Sequence, residues 1–379
     1  MKLNKLVMVA LVALGAVACE KSDKGIDDQS PKSVTINLAN VQAGSRSMGD
    51  PLEETDKVVL ERFQVFFTDG TTLYLGKKAD GTAESEHYFE SQQGESLDLT
   101  PATFHFLPAN VSKVIVVGNM DKIDVISGVT KVEVLEEELA IETQQEEQIG
   151  ALSLYGEKGL TEAQVDGEGH MLYTANVEVA PRIARIEIAN FTCNFAEAEA
   201  DREYKAFTIN HVALNNYYTK TILSTAEVQE DDLENTVINS GSVEPFFEGL
   251  EDGWNNDKFA APLELTWDAN TKAVGTVDEV LAYNFFPGAK PQIVVRMTGT
   301  KNEENAQPAP TFLATLNLKD GNTPIAEFVA GTIYKIDFVF NESDPDQTEK
   351  CIDVTVTPVN WSVVTVTPEF QYTVKGLDE

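Results

Sequence analysis

The chain has 379 residues, of which 42% are hydrophobic, and a formal net charge of −34 at pH 7. This length favours two domains over one, and the hydrophobic content is enough for packed cores, which excludes a disordered protein. The strong negative charge argues against nucleic acid as a partner, because binding to phosphates needs a basic surface.

The N-terminus has the pattern of an export signal. Lys2 and Lys5 give a positive start, and residues 6–17 form an apolar stretch that is too short to span a bilayer. Small residues then lead directly to Cys19, an arrangement similar to the lipobox of exported lipoproteins. We therefore predict that residues 1–18 are a lipoprotein signal peptide and that Cys19 carries the lipid, which would anchor the precursor to a membrane.

A strand pattern and a flexible linker follow the polar tether. Val34, Ile36 and Leu38 alternate with polar or small residues, and a period of two predicts a strand with one buried face. Soon after this strand comes Arg46, in a stretch of small and polar residues of the kind that proteases cut.

The main body, in chain order, has the pattern of an all-β protein. Residues 126–148 are the one helical candidate, with Leu135 and Leu139 in its apolar stripe. Residues 224–253 read as an acidic insertion of loops. Pro181 cannot donate to a ladder, so it predicts a strand start or edge, near a domain boundary. The predicted strands are residues 58–67, 73–75, 96–101, 103–107, 113–119, 177–188, 206–214, 276–286, 292–297, 311–318, 332–340 and 351–359.

The last strand pattern lies at the C-terminal end, in residues 362–375. Two explanations remain open for this strand and for the first one. Both can be ordinary strands of one chain, which the generic nature of alternation favours. Alternatively, a cut in the linker releases the first strand, and the last strand of a neighbouring molecule takes its place. The apolar side of the last strand consists of Val364, Val366, Pro368, Phe370, Tyr372 and Val374.

The sequence shows no pattern for catalysis or metal binding. The histidines lack partners at ligand spacing, so we predict no catalytic residue, no metal site and no cofactor, and hence no enzyme. The loop with Asp344 and Asp346 could bind a cation, but it lacks the ligand set of a calcium loop. Cys193 and Cys351 could form a disulfide or remain free thiols. The four histidines are His87, His105, His170 and His211.

Several segments together resemble the fimbrillin family, the structural subunits of type V pili. They extend across most of the chain, and their order is more specific than any one of them. They are the lipobox at Cys19, the strand at residues 34–38, Arg46 in its linker, residues 58–70, 114–119, 181–188, 330–337 and 354–361.

The resemblance implies two transthyretin-like β-sandwich domains with short helical insertions, at residues 47–180 and 181–379. It implies an outer-membrane lipoprotein precursor with a tether and propeptide at residues 19–46. An Arg-specific protease would cut between Arg46 and Ser47 and free the first strand.

The same resemblance implies a donor strand in residues 362–375. Its apolar side chains Val364, Val366, Phe370, Tyr372 and Val374 would replace Val34, Ile36 and Leu38 in the next subunit. Copies would then polymerise head to tail into a cell-surface fimbrium that supports adhesion and biofilm formation. Anchor and tip subunits would be further partners, and the surface ligand is unknown.

Two other functions remain open. The chain could be a tip or accessory fimbrial adhesin, or a lipid-anchored glycan-binding protein with β-sandwich domains. A glycan site would need exposed aromatic side chains, and Trp254 with Tyr217 and Tyr218 is the one candidate cluster. Aromatic residues of this kind pack in cores by default.

Overall fold

The computed structural model describes residues 31–39, 41–43, 58–91, 97–145, 152–165, 171–235, 254–267, 273–288, 290–347 and 350–360. The fold is nearly all β, with 58% of the described residues in strands, which confirms the predicted fold class. In the described part of the chain, no helix is long and apolar enough to cross a membrane.

The described residues of the first half form thirteen short strands. They are β1 (Lys32–Ala39), β2 (Val41–Ala43), β3 (Val58–Leu60), β4 (Arg62–Thr68), β5 (Leu73–Tyr74), β6 (Tyr88–Glu90), β7 (Ala102–Leu107), β8 (Lys113–Gly118), β9 (Glu138–Ala140), β10 (Leu154–Gly159), β11 (Thr161–Val165), β12 (Met171–Glu178) and β13 (Ala180–Pro181).

The second half contains longer strands. They are β14 (Ala184–Asn194), β15 (Tyr204–Asn215), β16 (Tyr217–Tyr218), β17 (Lys220–Ile222), β18 (Leu233–Glu234), β19 (Asn256–Thr266), β20 (Ala273–Phe285), β21 (Gln292–Lys301), β22 (Ala309–Asp320), β23 (Thr323–Pro324), β24 (Thr332–Asn341) and β25 (Cys351–Asn360). The described 3-10 turns are Val132–Leu135, Glu142–Gln144, Glu199–Asp201, Glu230–Asp232 and Asp344–Asp346.

Two sheets form a sandwich in the first half. One has the strand order β11-β12-β1-β7, and the other has the order β13-β10-β8-β4-β5, with β6 paired to β4. Their side chains meet in one core, where the rings of Phe67 on β4 and Phe104 on β7 lie 5.2 Å apart. The run Val114–Val117 on β8 is buried on both faces, as its continuous apolar sequence predicts for a central strand.

One curled sheet forms the second half. Its order is β19-β15-β21-β22-β25-β24-β14-β20, with β23 paired to β22. The rings of Phe207 on β15 and Phe340 on β24 pack 5.3 Å apart across the fold. The two end strands meet where the Tyr283 hydroxyl of β20 donates to the Asp257 carboxylate of β19. The sheet therefore wraps around its own core, as in a sandwich.

The segment predicted as a helix is not one in its described part. Residues 126–145 form 3-10 turns and the short strand β9, which pairs with β17. Leu135 and Leu139 are buried, as predicted, but their backbone is extended or turned. The helix prediction was wrong because the backbone finds other partners, for example Thr130, whose carbonyl accepts from the amide of Leu73.

Two strand predictions also need correction. The predicted strand at residues 177–188 is divided among β12, β13 and β14. Pro181 ends the two-residue strand β13 at the edge of a sheet, which agrees with its missing N–H. The segment 97–101 is not a strand, although Leu97 is buried. Alternation over so few residues was too weak a signal for a strand.

Candidate functional site

The first strand lies inside a sheet rather than at its edge. Along its whole length, β1 pairs in parallel with β12, from Lys32 opposite Met171 to Ala39 opposite Glu178. On its other side it pairs antiparallel with β7, as far as Ile36 opposite Ala102. Removal of β1 would leave the facing edges of both neighbours without their ladder partner.

The predicted inward residues of β1 are part of the main core. Val34 is fully buried, Ile36 is 3% exposed, and Leu38 is half-buried against the same cluster. Full burial of a side chain of this size stabilises by about 1.5–3 kcal/mol. The pattern of two-residue alternation therefore found the correct face of this strand.

The outward side of β1 is held by hydroxyl groups. The Ser33 Oγ lies 2.9 Å from His105 Nδ1, and the Thr35 Oγ1 lies 2.9 Å from Thr103 Oγ1, both on β7. Burial lowers the pKa of His105, which favours the neutral ring as the acceptor of the Ser33 hydroxyl. The Lys32 Nζ donates to the carbonyl oxygen of Val111 at 2.8 Å.

A cleft adjoins the last inward positions of β1. Its volume is about 90 Å³, and it lies beside Ile36 and Leu38. Phe63 and Phe89, whose rings stack 4.6 Å apart, form one wall. Leu99 also lines the cleft. The side chains of β1 thus leave space in the core of this sandwich, which costs stability.

The chain after β1 moves to a separate pair of strands. The strand β2 pairs in parallel with β3, with Val41 opposite Val58, and both residues are buried. The predicted cleavage residues Arg46 and Ser47 lie between these strands, outside the described residues. The segment that contains them therefore joins the end of one buried strand to the start of another.

Other arginines that a protease would meet are held in folded segments. Arg62 is in β4, and its guanidinium lies near the carboxylates of Glu90 and Asp121. Arg182 donates to backbone carbonyls, and Arg202 does so as well. Arg185 and Glu187 form a buried ion pair at 2.7 Å; the Arg185 side chain is fully buried. The strands that contain Arg62 and Arg185 do not offer the accessible backbone that a protease needs. Arg202 has extended backbone beside exposed residues, and its contacts with backbone carbonyls restrain it.

Two further groups of predicted site residues lie outside the described residues. Cys19 is one, and the side chains proposed for the donor strand are the other. The described chain ends with β25, at Asn360. The donor residues concerned are Val364, Val366, Phe370, Tyr372 and Val374.

The histidines and the acidic loop have structural contacts. His87 is buried, with its Nδ1 2.8 Å from the carbonyl oxygen of Val65, and burial lowers its pKa. The Asp346 carboxylate accepts from the Tyr204 hydroxyl and from Lys301, at 2.8 Å each. Within the described ranges, no group of three or more His, Cys, Asp or Glu side chains could hold a metal ion.

The cysteines and the candidate aromatic cluster are also parts of the fold. Cys193 is buried and Cys351 is half-buried, and the two do not form a disulfide. Tyr217 is 7% exposed, and its ring packs edge-on against Trp254 at 4.8 Å. Tyr218 is half-buried against the core. These contacts agree with the default interpretation of the aromatic residues as core, rather than as a sugar platform.

Of the two strands beside β1, sequence reasoning found β7, predicted at residues 103–107, but only the end of β12. The strand β12 was predicted only from Val177 onward, although Met171, Tyr173 and Ala175 continue the same alternation. That signal was available in the sequence. The hydroxyl contact of Thr103 and the bulge between β1 and β7 had no local signal, because they depend on which strands become neighbours.

Comparisons with known proteins give likeness of fold at low sequence identity. No family model matches the chain, and no curated protein matches it. A solved structure described as a "putative cell adhesion protein" from Bacteroides eggerthii has a TM-score of 0.52 at 15% identity, and covers 89% of this chain and 98% of that one. One from Parabacteroides distasonis with the same description has a TM-score of 0.52 at 14% identity, and covers 89% and 99%.

A fimbrilin from Porphyromonas gingivalis is also similar, with a TM-score of 0.48 at 13% identity, and it covers 90% of this chain and 100% of that one. The first two structures are thus described as cell adhesion proteins and the third as a fimbrilin. The chain has the all-β fold that it shares with the first two of these structures.

Proposed function

We propose that this protein is a fimbrial subunit of the fimbrillin type, which polymerises by strand exchange after proteolysis. The observation that supports the proposal best is the interior position of β1, a strand that precedes the predicted cleavage residue Arg46. Removal of a strand from the middle of a sheet leaves both neighbouring strands with an unpaired edge, so a removable segment is seldom found there.

The physical basis is strand addition to an open sheet. An unpaired edge presents backbone N–H and C=O groups, and the groove below it presents apolar surface. While β1 is in place, it pairs with these backbone groups and covers the apolar groove, so the precursor stays a monomer. After the cut, the C-terminal strand of another copy would restore the ladder. Five large apolar side chains at about 1.5–3 kcal/mol each would contribute about 8–15 kcal/mol before ordering costs.

The geometry of such a contact leads to a filament. A donor strand at one end of each subunit and an acceptor groove at the other make a heterologous contact, which does not close on itself. Copies would add head to tail. The names of the two structures that share the fold support a role at the cell surface, since both are described as adhesion proteins.

The proposal extends to processing and location. The precursor would reach the outer membrane as a lipoprotein through Cys19, and an Arg-specific protease would cut between Arg46 and Ser47. The mature subunit would belong to a surface fimbrium, with anchor and tip subunits as partners and a role in adhesion and biofilm formation. A tip adhesin is the alternative, and it would not donate a strand.

The test is polymerisation of recombinant protein that spans residues 20–379. The protein is treated with an Arg-specific protease and run on SDS gels without boiling, with and without deletion of residues 365–379. We expect a ladder of oligomers only after the cut and only with the tail present. The Arg46→Lys variant should remain uncut and monomeric, whereas Arg202→Lys should behave like the parent chain.

A clean cut that gives only monomer, with or without the tail, would contradict the proposal. That outcome would favour the tip adhesin or the glycan-binding protein. A ladder without any cut would contradict the role of β1 as the strand that blocks assembly.

A further inference from the structure

Two segments of the chain share a pattern that goes beyond alternation. Residues 33–38 of β1 read Ser-Val-Thr-Ile-Asn-Leu, and residues 365–370 of the tail read Thr-Val-Thr-Pro-Glu-Phe. Both have a hydroxyl residue, a valine and a threonine in succession, followed three residues later by a large apolar side chain. The structure gives a reason for each of these features.

We propose that the tail enters the groove of the next subunit in one register, with Thr365 at the position of Ser33 and Phe370 at the position of Leu38. This inference rests on the proposed strand exchange and specifies it. The incoming strand would run in the same direction as β1, parallel to β12 and antiparallel to β7.

The hydroxyl contacts of β1 support this register. The wall of the groove on β7 presents His105 and Thr103, which contact the hydroxyls of Ser33 and Thr35 at 2.9 Å each. Thr365 and Thr367 have the same two-residue spacing and would restore both contacts. Without Thr365, the half-buried His105 ring would lose its hydroxyl partner when β1 leaves, which is costly, whereas Thr103 is exposed and water can replace its partner.

The cleft beside Leu38 supports the same register independently. It has a volume of about 90 Å³ and walls that include Phe63 and Phe89. A phenyl ring at the position of Leu38 occupies space that the leucine leaves empty. Phe370 would thus pack better than the residue it replaces, which favours the incoming strand over β1.

The position of Pro368 fits as well. It would take the place of Ile36, which is opposite Ala102 in the last register pair between β1 and β7. On the other side of the strand the ladder with β12 continues to Ala39, so the proline, which lacks one N–H, would cost at most one ladder bond.

The competing register aligns Val364 with Val34 and Thr365 with Thr35. It would place Val363 against His105, and a valine has no hydroxyl to contact the ring. It would also place Pro368 beside the cleft, which a proline does not fill. The hydroxyl contacts on one face of the strand and the cleft on the other face therefore both favour the register with Thr365 at the position of Ser33.

Cysteine cross-linking tests the register directly. Residues opposite each other in an antiparallel pair have Cα atoms about 4.5–5.5 Å apart, which suits a disulfide. The background is the recombinant protein spanning residues 20–379 with Cys193→Ala and Cys351→Ala. Thr103→Cys is then combined with Thr365→Cys, Thr367→Cys or Glu369→Cys, and the chain is cut and oxidised. A Thr35→Cys, Thr103→Cys precursor is the positive control, because those residues are opposite each other in β1 and β7.

We expect disulfide-linked oligomers with Thr367→Cys. Cross-linking through Thr365→Cys or Glu369→Cys instead would overturn the register and leave strand exchange intact. If the cut background protein itself forms no oligomers, the proposed function fails, and the register fails with it.

A second measurement tests the cleft. Phe370→Ala removes a ring from a packed site, so we expect about 100-fold weaker assembly of cut subunits, from the usual cost of a Phe→Ala change. Gln371→Ala, on the polar side of the strand, is the matched control and should assemble normally. Equal assembly of both variants would overturn the assignment of Phe370 to the cleft.

Discussion

The two halves of this protein are both β structures, but they differ in how their sheets are completed. The large sheet of the second half is built from nine described strands that all follow β13, and the Tyr283 hydroxyl of one end strand donates to the Asp257 carboxylate of the other. The sandwich of the first half has the strand β1 in its interior, and that strand precedes the predicted cut.

This difference indicates that the strands of the second half stay in place, whereas one strand of the first half can be replaced. The sheet of the second half contains no strand that a cut in the predicted linker could remove. The sandwich around β1 has a complete core only while a strand occupies the central position. We therefore expect the second half to behave as a rigid body, and the first half to depend on what fills its groove.

The largest effect should come from the core of the second half. Phe207 is fully buried and packs on Phe340, so Phe207→Ala should destabilise this half by about 3–5 kcal/mol. All three tryptophans, Trp254, Trp267 and Trp361, are in the second half, so their fluorescence in urea reports on it. The stability that the second half loses through Phe207→Ala should be the same before and after the cut.

The matched control for this change is Leu316→Ala in β22. Leu316 is 60% exposed, and we expect a change within about 0.5 kcal/mol. If the cut alters the effect of Phe207→Ala, the second half is not the independent body that the comparison describes.

A slightly smaller effect is expected from the core of β1. Ile36 is 3% exposed, and Ile36→Ala should destabilise the first half of the precursor by about 2–4 kcal/mol. In contrast to the change at Phe207, this effect should disappear once the strand has been exchanged. Hydrogen exchange of β7 and β12, followed by mass spectrometry, measures both states.

Ile126→Ala is the control, because Ile126 is 69% exposed on the same half. It should leave exchange in β7 and β12 unchanged. An Ile36→Ala precursor that keeps the parent protection would show that β1 does not hold the sheet together.

The two halves should also differ in their response to pH. Burial lowers the pKa of His87 below its usual value of 6.5, so its contribution to the first half is present above that value and is lost as pH falls through the folded pKa. Burial raises the pKa of Asp257 above 3.8, so its contribution to the second half is present below that value and is lost as pH rises through the folded pKa.

Urea unfolding at a series of pH values measures how the free energy of unfolding of each half changes with pH. Hydrogen exchange reports on the first half and tryptophan fluorescence on the second. We expect His87→Gln to flatten the slope of the first half below about pH 6.5, and Asp257→Asn to flatten that of the second half at higher pH than 3.8. A single shared slope would mean that the halves unfold as one unit.

The smallest effect concerns the polar side of β1. Ser33→Ala removes the contact with His105. It should reduce the free energy with which β1 is bound in its sheet by about 0.5–1.5 kcal/mol, the usual net value of one hydrogen bond. The measurement is a double-mutant cycle with His105→Gln, read as the rate of assembly after the cut. Additive effects of the two changes would show that this contact does not retain the strand.

Much of the fold follows from local pattern. The alternation of Val34 and Ile36 fixed the buried face of β1, and the continuous apolar run of β8 indicated a strand covered on both sides. Pro181 marked a sheet edge because a missing N–H acts locally. The helix predicted at residues 126–148 failed because a few leucines at helical spacing fit equally well on a turned chain that packs over a sheet.

The sequence by itself determined the all-β class and the buried face of β1, and it predicts a second strand of similar pattern at residues 362–375. Those properties depend on residues that are close in the chain. Only the tertiary structure decided that β1 lies between β12 and β7, that Ser33 and Thr35 meet His105 and Thr103, and that space remains beside Leu38. These are contacts between residues far apart in the chain, and they exist only once the strands have chosen their neighbours.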